Sequence, residues 1–565
     1  MNLLLALLGC VTEPPPPVAT TAPTLSSPPL PRPTRRHHLA VTPVAVPTGA
    51  SQREVRAASS AALDGVTFPI GFHALARTGD RIGDTVFGAR SSRSGKPLEL
   101  CEGLDYTGLW KASTGLTMVT HFECQPGAIY LTAVQALPDG RLATTATRAV
   151  DGRPIDGGNY FCAGAPTTWD SHLAAEEYEG DVRKLLPDGT LSDNFEDYAD
   201  LAGWWDGSLS EAHPWQYGWV VEAPPSGAPT RRWSMGRFSH ELALPMPDER
   251  TVYLTDDTAE GGALFLFQAD RPRDLSAGTL WAARWQRGPG DQDYALTWVS
   301  LGHATDAEVE HAVAQRLGFE DLFEVAAPTN GACPGGLTLA RTNWGAECLR
   351  MRPGKEAPAS RLEARRAAAL AGATTELVKT EGLAFAPEER SVFLAMTRFE
   401  GPALASTPPD RAPDDLRLPP NRCGGVWQLA LGDGRPGGPA GPFVAATATL
   451  AVAGVEEGGA CDANAIANPD NLAWIDGAGI LAIAEDTGHH TNNALWFYDL
   501  ESRSLTRVLT APVGAEVSGL RWTAGVGRWS YLSVSIQHPF QDDPAAADAE
   551  RRSVAGTLGP FPAWE

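Results

Sequence analysis

Positive charge is scarce in this chain. Lys and Arg total 45 against 68 Asp and Glu, a net charge of −23, and no basic stripe is present. A nucleic-acid-binding surface needs such a stripe, so that class is excluded. The one basic cluster, Arg35-Arg36-His37-His38, lies in a Pro-rich segment and reads as linker. Long apolar runs are also lacking: nothing after the first ten residues is long and apolar enough to span a bilayer as a helix. Helical periodicity is rare, which argues against bundles and solenoids.

What is present is turn and strand chemistry. The 565 residues include 58 Gly, 46 Pro and 17 Trp, and from Val66 onward apolar runs alternate with Gly, Asp and Pro turns. This composition predicts an all-β fold, a β-propeller with inserted loops. Ahead of it, Met1 to Cys10 is a short apolar run that resembles a bacterial lipoprotein leader, with Cys10 as the lipid-bearing residue, although the basic start of such leaders is missing. Residues 11–60, rich in Pro, Ser, Thr and Ala, read as a flexible tether, and 61–565 as a single propeller domain. The expectation is an extracytoplasmic, lipid-anchored protein at the bacterial outer membrane or in the periplasm. It should be monomeric and touch the membrane only through Cys10.

Seven cysteines remain beyond Cys10, and an odd count in an oxidising compartment leaves at least one thiol without an intramolecular partner. Short separations favour Cys101–Cys124 and Cys333–Cys348, with Cys423–Cys461 next. On that pairing Cys162 is the free thiol.

A degenerate hairpin repeat recurs. Its clearest copies are Thr380 to Thr397, Pro469 to Asp486 and His240 to Asp257, with fainter ones from Cys101 and from Ser518. In a propeller the innermost strands line a central channel, so polar residues at one repeat position converge on its axis. Glu102, Glu241, Glu381 and Asn471 are read at that position. Two helical insertions are expected, Thr305 to Gly318 and Ala357 to about Leu370, both as packing elements.

Around Cys162 the chain places a thiol close to the paired acids Glu176 and Glu177. Together with Glu241, Asp256, Asp257, Glu381, Asp470, Glu485 and Asp486, these residues can supply many oxygens and one sulfur. Converging carboxylates need cations, and thiolate suits iron or zinc while carboxylate suits calcium, iron or magnesium. Arg237 and Lys379 lie near this set in the sequence pattern and suit phosphate.

Cys162-Ala-Gly-Ala-Pro-Thr-Thr-Trp169, followed by Glu176-Glu177, resembles the Cys-x-Gly-x-x-Thr-x-Trp…Glu-Glu motif of the PhoX-type alkaline phosphatases. Companion stretches agree in order: Gly236 to Glu241, Ala371 to Gly382, Pro469 to Leu472 and Ser535 to Pro539. The resemblance implies a six-bladed propeller that holds Ca2+ and Fe3+ in its central funnel and hydrolyses phosphomonoesters by in-line attack. It implies metal ligands at Cys162, Glu177, Glu241 and Glu381. Glu176 is counted with them, and Asp256 and Asp257 are expected as outer calcium ligands. Arg237 and Lys379 are expected as phosphate clamps and Asn471 as a polar contact on the axis. The chain departs from the family pattern at Lys379-Thr380-Glu381, where well-studied members have Arg-Pro-Glu, and at Ala174-Ala175. Two rival classes stay open: a calcium-dependent lactonase or esterase, and a non-catalytic scaffold stiffened by calcium.

Overall fold

Runs such as Thr251–Asp256 and Ile480–Glu485 are buried at every position, as strands packed on both faces must be. The computed structural model describes residues 37–564 except 187, 194, 289, 291, 402–403, 405–414 and 542. The proposed leader, Cys10 and most of the proposed tether lie outside the described residues. No helix among these residues is long and apolar enough to cross a membrane.

Among the described residues the strands form six antiparallel blades. Their innermost strands are, in chain order, Leu104–Ala112, Phe161–Pro166, His240–Pro245, Thr380–Ala386, Pro469–Ile475 and Glu516–Val526. Each touches the next, and the sixth touches the first, so the ring closes around a central channel. The core fills the wedges between blades. Phe393 of blade four stacks on Trp474 of blade five, for example, amid Leu481, Ile483 and Trp496. Blades three and four are further joined where Asp293–Thr305 pairs with Ala440–Ala453.

Closure comes from the N-terminal side. Gly71–Arg77 pairs with Val554–Pro562 as the outer strand of blade six, and Arg56–Ala57 pairs with the outer strand of blade five. Residues 37–60, expected as tether, are therefore folded: Leu39–Val41 pairs with Ser60–Leu63, and Leu39, Val44 and Ala58 are buried in the core of the last two blades. A three-residue strand beside a Pro-containing run offers too little alternation to be read as a strand.

The cysteines pair as Cys101–Cys124, Cys333–Cys348 and Cys423–Cys461, and Cys162 is free and buried. The first helical insertion is Asp306–Ala314, capped by Thr305, whose side chain accepts the Glu308 N–H. Gly318 opens a short helix, Phe319–Leu322, rather than ending the first. The second insertion is two helices, Glu356–Leu362 and Ala364–Ala371, broken at Glu363 and stopped by Gly372 at φ 81°. Its arginines are buried. Arg361 donates to the carbonyls of Ser234 and Gly302, and Arg366 pairs with Glu347 and Glu363.

One device recurs in all six inner strands. Near the start of each, the register slips, so that two residues face one on the neighbouring strand: within Leu104 to Thr107, Phe161 to Gly164, His240 to Ala243, Thr380 to Leu383, Pro469 to Leu472 and Ser518 to Arg521. Such bulges re-aim side chains. The first residue inside each is Asp105, Cys162, Glu241, Glu381, Asp470 and Gly519. The sixth must be glycine. Its φ is +62°, and a Cβ would lie 2.4 Å from the Thr107 nitrogen. Gly519→Ala is expected to lower Tm by several degrees through backbone strain and this clash, a loss that a melting curve followed by circular dichroism will read.

Candidate metal centre and active site

The bulges gather acids at one end of the channel. Two groups of donors form there, Glu123 with Cys162 and Glu177, and Glu241 with Glu381 and Asp470; within each, the ligand atoms all lie within 4.8 Å of one another. A second set of acids comes from the residue just past the second strand of a blade: Glu123, Glu177, Asp257 and Asp486. The Cys162 thiol donates to Glu177 Oε2 at 2.8 Å. Asn471 Nδ2 donates to Asp470 Oδ1 at 2.7 Å and to Glu241 Oε1 at 3.3 Å, while its oxygen accepts the Gly519 N–H.

The electrostatics of this end are unfavourable for bare anions. Burial, then the neighbouring acids, pushes the carboxyls of Asp105, Glu177, Glu241, Glu381 and Asp470 well above the usual range. Glu123 is pushed up to about 7 by burial. Burial and then Glu177 raise the Cys162 thiol. Lys379 is the counter-charge: burial works against its ammonium, but Glu381 and Asp257 more than offset this, with Nζ 2.7 Å from Asp257 and 3.6 Å from Glu381. Like charges about 5 Å apart repel by ~3–4 kcal/mol at an effective dielectric constant of about 20. Three such pairs in one fully ionised triad therefore approach the ~5–15 kcal/mol net stability of a typical domain.

Buried oxygens without hydrogen-bond partners mark the same place: Asp105 Oδ2, Glu177 Oε1 and Asp257 Oδ1. A mixed sulfur and oxygen donor group beside an all-oxygen one, with such orphaned oxygens, fits bound cations.

Several expected residues fall elsewhere. Glu176 turns away from the channel, since successive strand residues face opposite sides, and accepts the N–H groups of Gly218 and Trp219, both at 3.0 Å. Asp256 turns away likewise. It takes Arg365 through both oxygens, and its Oδ2 also accepts the Ala263 N–H. Glu485, the corresponding acid of blade five, accepts from Ala467, Ala494 and Trp496. These three acids are structural. Arg237 is no phosphate clamp: it is buried, donates to the carbonyls of Tyr217 and Gly180, and lies over the Trp215 ring. Asn471 holds the acids in place. In blade one the axial position belongs to Asp105 rather than Glu102, and in blade five to Asp470 rather than Asn471. Asp105 and Glu123 were missed. The signal for Asp105 was the inner-strand position that Glu241 and Glu381 share, and for Glu123 the strand-end position that Glu177 and Asp257 share.

The family model "Alkaline phosphatase PhoX" matches residues 136–540. The chain belongs to the PhoX alkaline phosphatase family. As such it is a phosphomonoesterase, acting on small phosphate esters. No curated protein matches the sequence. Among solved structures, Pseudomonas fluorescens PhoX in complex with vanadate, a transition-state analogue, superposes with TM-score 0.62 at 16% identity, covering 93% of this chain and 98% of that one. Saccharomyces cerevisiae Sqt1 gives TM-score 0.31 at 9% identity, covering 82% and 96%. The Cps50 (Swd1) β-propeller domain of Myceliophteria thermophila gives 0.33 at 10%, covering 81% and 97%. Only the first of these three informs the fold, and it supports the six-bladed propeller that the resemblance implied.

The raised carboxyls of this phosphatase make a pH prediction. A group whose folded pKa lies above its unfolded value stabilises the fold fully below the unfolded value, about 4 for carboxyls, and loses that contribution as pH rises through the folded value. Cation-stripped protein should therefore lose Tm steadily from about pH 5 through 7, where Glu123 titrates, and beyond. Thermal melts in chelator across that range, repeated with added Ca2+, will check this; cations are expected to flatten the slope.

Proposed function

We propose that the funnel holds Ca2+ and Fe3+ and hydrolyses phosphomonoesters outside the cytoplasm. The observation that carries this reading is the pair of three-donor groups, one containing the Cys162 sulfur and the other oxygen only. Cys162 with Glu177 and Glu123 suits iron, and Glu241 with Glu381 and Asp470 suits calcium or shared carboxylate bridging. Asp105 and Asp257 supply further oxygens. Bound there, the cations would offset the acids and polarise phosphoryl oxygens as Lewis acids.

The chain's own residues do the rest. Asn471 fixes Glu241 and Asp470 through its two N–H bonds, so the oxygens keep their directions. Tyr106, Leu242 and Leu520, the second residues of three of the bulges, are buried and line a cavity of about 350 Å³ beside Asn471. Lys379 brings a positive charge to the edge of the acid cluster, where the substrate phosphate enters. A net charge of −23 would otherwise repel a phosphate ester at long range. The paired cysteines suit an oxidising compartment, in keeping with a site of action outside the cytoplasm.

Turnover of p-nitrophenyl phosphate, with metal analysis of the same sample, tests the reading. EDTA is expected to abolish turnover and Ca2+ to restore it. Cys162→Ser is expected to cut kcat by roughly a hundredfold or more with loss of iron. Full ester hydrolysis by Cys162→Ser would favour a calcium-dependent lactonase or esterase. Chelation that lowers Tm in a protein that turns over no ester would favour a scaffold.

A further inference from the structure

Above the acids the funnel opens into a cavity of about 850 Å³. Among the described residues lining it, three are cationic: Arg365, Lys379 and Arg398. Arg365 is fully committed, bonded to both oxygens of Asp256 and to Glu179. Lys379 is held between Asp257 and Glu381. Arg398 differs from both. Its Nε is buried and makes no hydrogen bond among the described residues. Glu400 Oε2 lies 3.3 Å away, outside hydrogen-bonding alignment, and the two side chains are 34% and 51% exposed. Exposed pairs of this kind are weakly held and readily exchanged.

Backbone geometry brings Arg398 to the same edge as Lys379. Thr380 pairs with Met396, and one step further the Thr397 N–H donates to the Lys379 carbonyl at 3.1 Å. Arg398 therefore leaves blade four beside Lys379. The other charges lining this mouth include Glu123, Glu179, Glu196, Asp197 and Asp257, so a phosphate dianion entering it needs a cation not already taken by a carboxylate. An ammonium is a point charge, whereas a guanidinium presents two parallel N–H groups to two oxygens.

We propose that Arg398 is the phosphoryl clamp of this site, exchanging Glu400 for two terminal oxygens of the substrate phosphate while Lys379 stays with the acids. The proposal rests on the phosphatase reading above. It assigns Arg398 to recognition of the phosphoryl group shared by all phosphomonoesters.

The test compares wild type, Arg398→Met and Arg398→Lys at matched metal content. Inorganic phosphate binding is measured by calorimetry and p-nitrophenyl phosphate turnover by initial rates. Arg398→Met is expected to weaken phosphate binding and lower kcat/KM by roughly tenfold to a hundredfold each. Arg398→Lys, which keeps the charge and loses the fork, is expected to remain at least about threefold below wild type in both. A Met variant within twofold of wild type in both measurements overturns the proposal and leaves the phosphatase reading standing. A Lys variant equal to wild type beside an impaired Met variant overturns the two-oxygen grip. A wild-type protein that neither binds phosphate nor turns over the ester removes the phosphatase reading and this proposal together.

Discussion

Repulsion among buried carboxylates on the propeller axis is the constraint on which the rest depends. Six bulges at the same strand position aim Asp105, Cys162, Glu241, Glu381 and Asp470 inward, leaving Gly519 as the one position without a donor. A protein gains nothing in stability from such an arrangement alone, since burial and crowding both penalise the anions. The scaffold must therefore be strong enough to hold them, and cations bound there would recover the cost. Its strength comes from apolar wedges between blades, from the N-terminal strand that completes blade six, and from three disulfides.

The same strands carry two kinds of acid, and alternation separates them. Glu177 and Asp257 face the axis, while their neighbours Glu176 and Asp256 face into the blade, where one oxygen of Glu176 accepts two backbone N–H groups and Asp256 takes Arg365. Arg365 belongs to the helical insertion before blade four, so that insertion is tied to blade three through a buried ion pair next to the funnel mouth. The insertion thus supports the funnel wall without supplying a member of either donor group.

Much of this was legible in the sequence. The three disulfides followed from short separations. The copies at His240, Thr380 and Pro469 marked three blades, and Cys162, Glu177, Glu241 and Glu381 came out as converging groups. The remainder turned on single-residue register, which a degenerate pattern does not resolve, because shifting by one residue moves a side chain to the opposite face. Hence Glu102 stood in for Asp105, Asn471 for Asp470, and Glu176 and Asp256 were counted with the axial acids. Arg237 was misread for another reason. Its carbonyl partners at Gly180 and Tyr217 lie in an insertion whose path the sequence pattern does not reveal. Arg398, two residues past a strand end, carries no motif at all.

The central claim is that cations, rather than protons, neutralise the funnel acids in the working protein. Anomalous diffraction from crystals grown near neutral pH, recorded across the iron edge and at a wavelength sensitive to calcium, tests it most directly. The account predicts iron signal within bonding distance of the Cys162 sulfur and Glu177, and calcium signal beside Glu241, Glu381 and Asp470. A funnel without anomalous signal at either place, in protein that hydrolyses phosphomonoesters at full rate, would contradict it.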